Sequence, residues 1–409
     1  MKKWILISLM VLSLAGGCVR DRETPWPRNL NILSINVIYP VGHAGDMREG
    51  VLVKAEEISS GAVYSARTDS RAFAEMTVPG GIYRISVSDR IGRDIFNGSA
   101  DKVVVMGGAK VVDVTLTYSR AGTLVIKELY CGGCSKAPKE GTNQADQYVI
   151  LHNNDSETMY LDSLCLGTLS PYNSNAVSHW NSKDPETGET VYPDFAPIIQ
   201  AVWQVGGDGT SFPLAPGEDA VICFRGAIDH SAEYPLSVNL NKSGYFVCYS
   251  PSYFYNTAYH PAPGDKISAD RYLDVVVKTG QANAYTLSLS SPTLVVFKAE
   301  GTTIQDFVKE PGNILQTPGS TTDNVVAVPY GWVIDALEVF DGRSSNNSKR
   351  LNPSVDAGFV VQSDVFKGHT LMRKTDEKAS AEAGYEILED TNNSSNDFYE
   401  RDIQSLHAD

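Results

Sequence analysis

The chain has 409 residues, of which 42% are hydrophobic, and a formal net charge of −15. That length exceeds one ordinary core and calls for two or three domains, and the hydrophobic content can pack them, which excludes wholesale disorder. The acidic balance excludes nucleic acid as a partner, because phosphate neutralisation needs clustered Lys and Arg, and it excludes attachment to an anionic bilayer by charge alone.

Met1-Lys-Lys3 is a basic head, and the apolar run Trp4 to Leu14 is too short for an ordinary spanning helix. Small residues Ala15-Gly-Gly17 precede Cys18, so residues 1–17 read as a secretory signal peptide ending at a cysteine. The segment resembles a bacterial lipoprotein signal, in which that cysteine becomes the first residue and carries acyl chains. It departs from the usual pattern at Ala15, where an aliphatic residue is expected; Leu14 stands one place further back. The resemblance implies lipidation of Cys18 and an outer-membrane anchor, each buried methylene contributing roughly 0.8 kcal/mol. Plain secretion with an incidental Cys18 is the alternative. Residues 18–28, with Pro25 and Pro27 around Trp26, read as a tether.

Strand signals then come at short intervals. They are Leu30–Ile38, Gly50–Ile58, Ala62–Thr68, Ala72–Val78, Ile82–Ser88, Lys102–Met106 and Lys110–Thr117, with a strong turn at Pro79-Gly-Gly81. About seven short strands predict a β-sandwich over residues 29–119. The core "GVLVKAEEISSGAVYSARTDSRAFAEMTVPGGIYRISVS" resembles prealbumin-like, or carboxypeptidase-regulatory-like, modules of exported bacterial proteins. That resemblance implies a fold and no activity; a spacer is the favoured role.

The stretch Gly122–Leu166 organises the remainder, residues 120–409. It holds "LVIKELY" and "DQYVILHNNDSETMYLDSLCL"; later come the strand Asp219–Phe224, Pro292–Phe297 followed by Val333–Val339, and an Asn/Ser-rich ending before Phe398. These residues resemble the lamin-tail type of immunoglobulin-like β-sandwich. The whole chain is similar to a family of Bacteroidetes lipoproteins catalogued as a domain of unknown function. Such lipoproteins often accompany TonB-dependent outer-membrane transporters, so the resemblance implies a transporter as a partner. Against a minimal lamin-tail domain, residues at about 170–209 and 227–284 read as long loop insertions. The expected fold is therefore all-β: a prealbumin-like sandwich, then a larger immunoglobulin-like one.

Both insertions are rich in aromatics, which combine contact area with a polar handle. Trp180, Trp203, Tyr253, Tyr255 and Tyr259 are the candidates for stacking on a sugar, peptide or other flat ligand. The competing account packs them under their own loops as a satellite core.

Motifs that could carry chemistry are sparse. Cys131-Gly-Gly-Cys134 lacks the following helix of a redox motif and the second ligand pair of a zinc site. It reads as a local disulfide or as two thiols closing a turn. Cys165, Cys223 and Cys248 sit in apolar runs and read as buried hydrophobes. Asp390 to Asp397 imitates the start of a calcium loop, but Ser395 stands where glycine is needed and Arg401 where a glutamate is needed. An Asx-rich turn bonding its own backbone accounts for it better. No H-E-x-x-H and no G-x-S-x-G occurs, so neither a catalytic residue nor a metal or other cofactor is assigned. The expected function is a binding or accessory lipoprotein. The alternatives are a structural or adhesive surface protein and, last, a hydrolase.

Overall fold

The computed structural model describes residues 30–91 and 94–407, so the leader, Cys18 and the whole tether lie outside the described residues. The first module is a sandwich of two sheets. Leu30–Ile38 pairs antiparallel with Phe73–Pro79 and parallel with Ala109–Thr115. The facing sheet runs in the order Val63–Arg67, Leu52–Glu57, Gly81–Ile91, Asp94–Val105, Thr117–Arg120. Strict alternation puts Tyr83, Ile85 and Val87 inside with Leu33, Ile35, Val53 and Ala55, all without solvent contact. The sandwich has eight strands where about seven were expected. Asn97-Gly-Ser-Ala-Asp101 looks like a turn in sequence, yet it extends the Asp94 strand in register with Ser88 to Ile85. Glycine is required there, because a Cβ on Gly98 would sit 2.7 Å from the Thr115 carbonyl oxygen.

The second module is also two facing sheets. One runs Phe246–Val247, Asp219–Cys223, Tyr148–Asn153, Leu124–Tyr130, Thr370–Arg373, Phe398–Arg401. The other runs Ile314–Gln316, Asn324–Pro329, Phe195–Gln204, Cys165–Leu169, Thr293–Phe297, Val333–Asp341, Val360–Gln362. Leu124, Ile126, Leu129, Leu166, Trp203, Leu294 and Leu337 fill the space between. The outer faces are covered too, by cores around Tyr130, Tyr148 and Ile150 on one sheet and Ile198, Val202 and Val295 on the other. All six residues of Tyr148–Asn153 are buried, so these central strands read as continuous apolar runs and not as one-sided alternation.

The expected loop over residues 170–209 needs correction. Its prolines suggested irregular backbone, but Phe195–Gln204 is a ten-residue central strand. Pro197 is accommodated opposite Ala327. Gln200 breaks the strand into two halves with φ of 63°, and its carbonyl accepts the amides of Thr279 and Gly280. The first half pairs with Asn324–Pro329 and the second with Asp274–Lys278, itself inside the supposed second insertion.

Two buried ionic groups tie the second module together. Arg350 and Glu338 are both fully buried, 2.7 Å apart, and Arg350 also donates to the carbonyls of Ser291 and Val339. Arg373 is surrounded by Asp335, Asp390 and Asp397. The Asp390–Asp397 segment does bond its own backbone, through Thr391 and Asn393 amides on Asp397 and Ser395 on Asn393. It also reaches the first module. Arg90 donates to the Asp390 carbonyl, Asn97 to the Thr391 carbonyl, Lys54 to Asn396, and Asn392 to Ser119.

Candidate functional site

The residues Ser250–His260 form a surface loop whose shape is set from within. Phe254 donates its amide to Ser250 O, His260 its amide to Asn256 O, and Ser250 its amide to His260 Nε2 at 3.1 Å. Phe254 and His260 are buried at 1% and 2% exposure. Phe254 stacks on Trp203 at 5.6 Å between ring centroids, and Tyr285 meets Trp203 edge-on at 5.3 Å. Burial without a countercharge, together with the nearby Arg225, pushes His260 down to about 4, so it is neutral near pH 7. The loop is thus pinned by two inward aromatics, while Tyr253, Tyr255 and Tyr259 stand 43%, 70% and 46% exposed.

Two cations flank these rings. Lys278 donates to the Tyr253 carbonyl at 3.1 Å and its Nζ lies 5.0 Å from the Phe254 ring centroid. Arg225 donates to the Tyr259 carbonyl at 2.9 Å, and its guanidinium lies 5.3 Å from the Tyr259 ring centroid. Arg225 is 3% exposed and makes no ion pair among the described residues, and desolvation holds its guanidinium below the usual range. Asn256 and Asn283 add amides at the rim. The loop therefore offers aromatic faces, the Lys278 ammonium and amide donors, with the buried Arg225 bracing it from beneath, which suits a flat, oxygen-bearing ligand or a polar protein surface.

The five candidate aromatics, for which ligand stacking and burial as a satellite core were the alternatives, divide three ways. Tyr253, Tyr255 and Tyr259 come together on this loop. Trp203 is correctly placed beneath them but has no solvent exposure, so it braces the loop and cannot stack on a ligand. Trp180 is elsewhere: its ring meets Phe195 at 5.4 Å, at the far end of the strand that carries Trp203, and eight strand residues span about 26 Å. One ligand face cannot include both tryptophans. Lys278 and Arg225 were not anticipated; the signal was a lone Arg directly after the buried run Ala220–Phe224.

Of the two readings of Cys131 and Cys134, a local disulfide or two thiols closing a turn, the structure has the thiols and not the disulfide. Both are free, buried thiols. Cys131 Sγ lies 2.9 Å from Gln362 Oε1, and Cys134 faces Tyr130 and Asn143, so the two sulfurs serve different neighbours. Burial raises both, Cys134 to about 11, which leaves them unreactive.

Neither the His152–Asp219 pair nor the His230–Asp146 pair presents a nucleophile to its imidazole. His152 is held between Asp219, at 2.6 Å, and the Glu386 carbonyl, at 2.9 Å. His230 meets Asp146 at 2.6 Å, and the Ser237 hydroxyl bonds the same carboxylate and not the imidazole. Among the described residues no group of His, Cys, Asp and Glu could hold a metal ion.

Residues 215–405 match the family model described as a protein of unknown function (DUF4876). No curated protein matches the chain. A crystal structure of a DUF4876 family protein from Bacteroides thetaiotaomicron VPI-5482 aligns with 91% of this chain and 95% of its own, at 22% identity and TM-score 0.56. A DUF3823 family protein from Parabacteroides merdae ATCC 43184 aligns with 44% of this chain and 82% of its own, at 11% identity and TM-score 0.16. The Bacillus anthracis TIE protein aligns with 46% of this chain and 26% of its own, at 11% identity and TM-score 0.17. The first of these supports the all-β fold. The family resemblance holds, and it carries no assigned function.

Proposed function

We propose that the protein is a non-enzymatic, lipid-anchored binding protein that presents the Tyr253–Tyr255–Tyr259 loop to its partner. The observation that carries this reading is the division of labour within one loop. Phe254 and His260 are buried as anchors, while three tyrosines, Tyr255 most of all, are left in water. Rigid exposed tyrosines give contact area at small entropic cost, and they are favoured where one surface meets another. The anchor is Cys18, and the membrane is the outer membrane. A transporter in that membrane is the partner we favour.

Adhesion, with a macromolecule and no small ligand, is the second reading. It is favoured by the openness of the tyrosine loop, which takes part in neither of two clefts found elsewhere, beside Tyr83 and beside Arg271. Capture of native partners on the purified lipoprotein, identified by mass spectrometry, tests both. Recovery of an outer-membrane transporter by the natural chain, lost with Y253A/Y255A/Y259A, is the expected result. Equal recovery by both proteins would sink the loop's role, and recovery of host or matrix glycoproteins alone would favour adhesion.

A further inference from the structure

Exposed apolar side chains are unevenly spread. Among the described residues, twelve of the twenty-two large exposed hydrophobics belong to the first module, far more than its share of the chain. Several gather at one end of the sandwich. Ile82 is the register partner of Val104, at 46% and 48% exposure, and the Ile58 amide donates to the Ile82 carbonyl. On the other sheet Leu30 and Ile32 face outward at 51% and 44%. Met106, 76% exposed, sits at the tip of the connection Met106-Gly-Gly108, whose last amide is held by Asn31.

These side chains collar one tip. Leu30 pairs with Pro79 and Gly81 with Val105, so the chain's entry into the fold, the Pro79-Gly-Gly81 turn and Met106 are neighbours. An open cleft of about 730 Å³ beside Tyr64, Tyr83 and Ile82 lies at the same tip. The opposite end is engaged otherwise. Arg90 and Asn97, near the far end of the same strands, are clasped by Asp390–Asn392. The second module follows that face back to Arg84, two residues from Ile82, and the Arg84 guanidinium lies 4.8 Å from the Phe359 ring centroid. From Ile82 to Arg90 the strand advances about 26 Å, so the apolar tip lies that far along the strand from the Arg90 clasp and just beyond the Arg84–Phe359 contact.

We propose that this tip rests in the lipid surface to which the chain is anchored, with Ile82, Val104 and Met106 entering the interfacial layer. The inference rests on the anchoring reading for Cys18. What commits the tip to lipid and not to another occupant is where the chain enters the fold: eleven residues lie between Cys18 and Leu30, a reach of at most about 40 Å, and Leu30 is inside the patch. An anchored chain thus cannot hold this tip far from the bilayer. The patch is apolar and not basic, so the surface it suits is a neutral or zwitterionic one.

The test uses the full mature chain with Cys18→Ser, which cannot be acylated, and phosphatidylethanolamine/phosphatidylcholine vesicles in a co-sedimentation assay. Measurable partitioning is expected, falling at least tenfold in I82S/V104S/M106S. Val41, fully exposed beyond the other end of the Leu30–Ile38 strand, supplies the control, and V41S should partition like the parent. Partitioning that the triple variant retains, or none by the parent, would overturn the proposal. So would a vesicle-free dimer that the triple variant dissolves, because the occupant would then be a second copy. Intact-mass analysis of the natural protein separately reads acylation at Cys18, so failure of the anchor and failure of the tip give different results.

Discussion

Arg373 Nη1 lies 3.4 Å from Asp390 Oδ1, while the other oxygen of that carboxylate accepts the Gly122 amide at 2.6 Å. One aspartate thus links a buried guanidinium to Gly122, just ahead of the first strand of the second module. Asp335 and Asp397 complete the group, and burial among like charges, countered by Arg373, raises each to about 7.

A carboxyl raised in the fold holds a proton that the unfolded chain releases. Stability from Asp397 is therefore greatest near pH 4 and declines as pH rises to about 7. The stability of the natural protein relative to Asp397→Asn should fall across that window. Urea unfolding at pH 4.5, 6 and 7.5 reads the difference; a constant difference would refute the assignment.

His260 acts in the opposite sense. Its folded value of about 4 lies below the unfolded 6.5, so its contribution is complete above pH 6.5 and is lost as pH falls towards 4. The advantage over His260→Gln should shrink by up to roughly 3 kcal/mol between pH 7 and 4. Thermal melts of both proteins across that range check it.

Arg350→Met should cost about 3–5 kcal/mol, because Glu338 would remain as a buried, unpaired charge. Replacing both, as E338L/R350M, should recover much of the loss. The measurement is the urea midpoint, with an unchanged slope as the sign that the native fold persists.

Trp203→Ala and Tyr255→Ala should separate bracing from contact. The first empties a fully buried site and should cost about 3–5 kcal/mol. The second should stay within about 0.5 kcal/mol and lower partner capture only. Denaturant curves alongside the capture assay distinguish them.

Cys131 and Cys134 should resist a thiol reagent in the native protein and react on denaturation without reductant. Unchanged thiol titre after reduction of the denatured chain confirms two free thiols; an increase would restore the disulfide.

Much of the fold was legible because period-two patterning survives wherever one face is wet. Gly81–Ile91 is the clearest case, with Tyr83, Ile85 and Val87 inside. Legibility failed where a strand is buried on both faces or carries breakers. Phe195–Gln204 contains Pro197 and a left-handed Gln200, features that normally mark loops, and long-range pairing with three strands overrides them. The candidate site was legible in part for a related reason. Aromatics cluster visibly in the sequence, but whether Phe254 or Tyr255 faces inward depends on the turn at Ser250, and the place of Trp203 depends on a strand whose proline and left-handed residue resemble loop. Lys278 and Arg225 arrive from distant segments that composition cannot join.

The clasp on the first module has a temporal side. Residues 33–116 enclose a core of their own, so that sandwich can close while later segments are still being synthesised. Its mooring partners, Asp390 to Asn396, emerge roughly 270 residues afterwards. During synthesis the early sandwich would therefore swing free on its linker, and only arrival of the late segment would fix the angle between the two bodies.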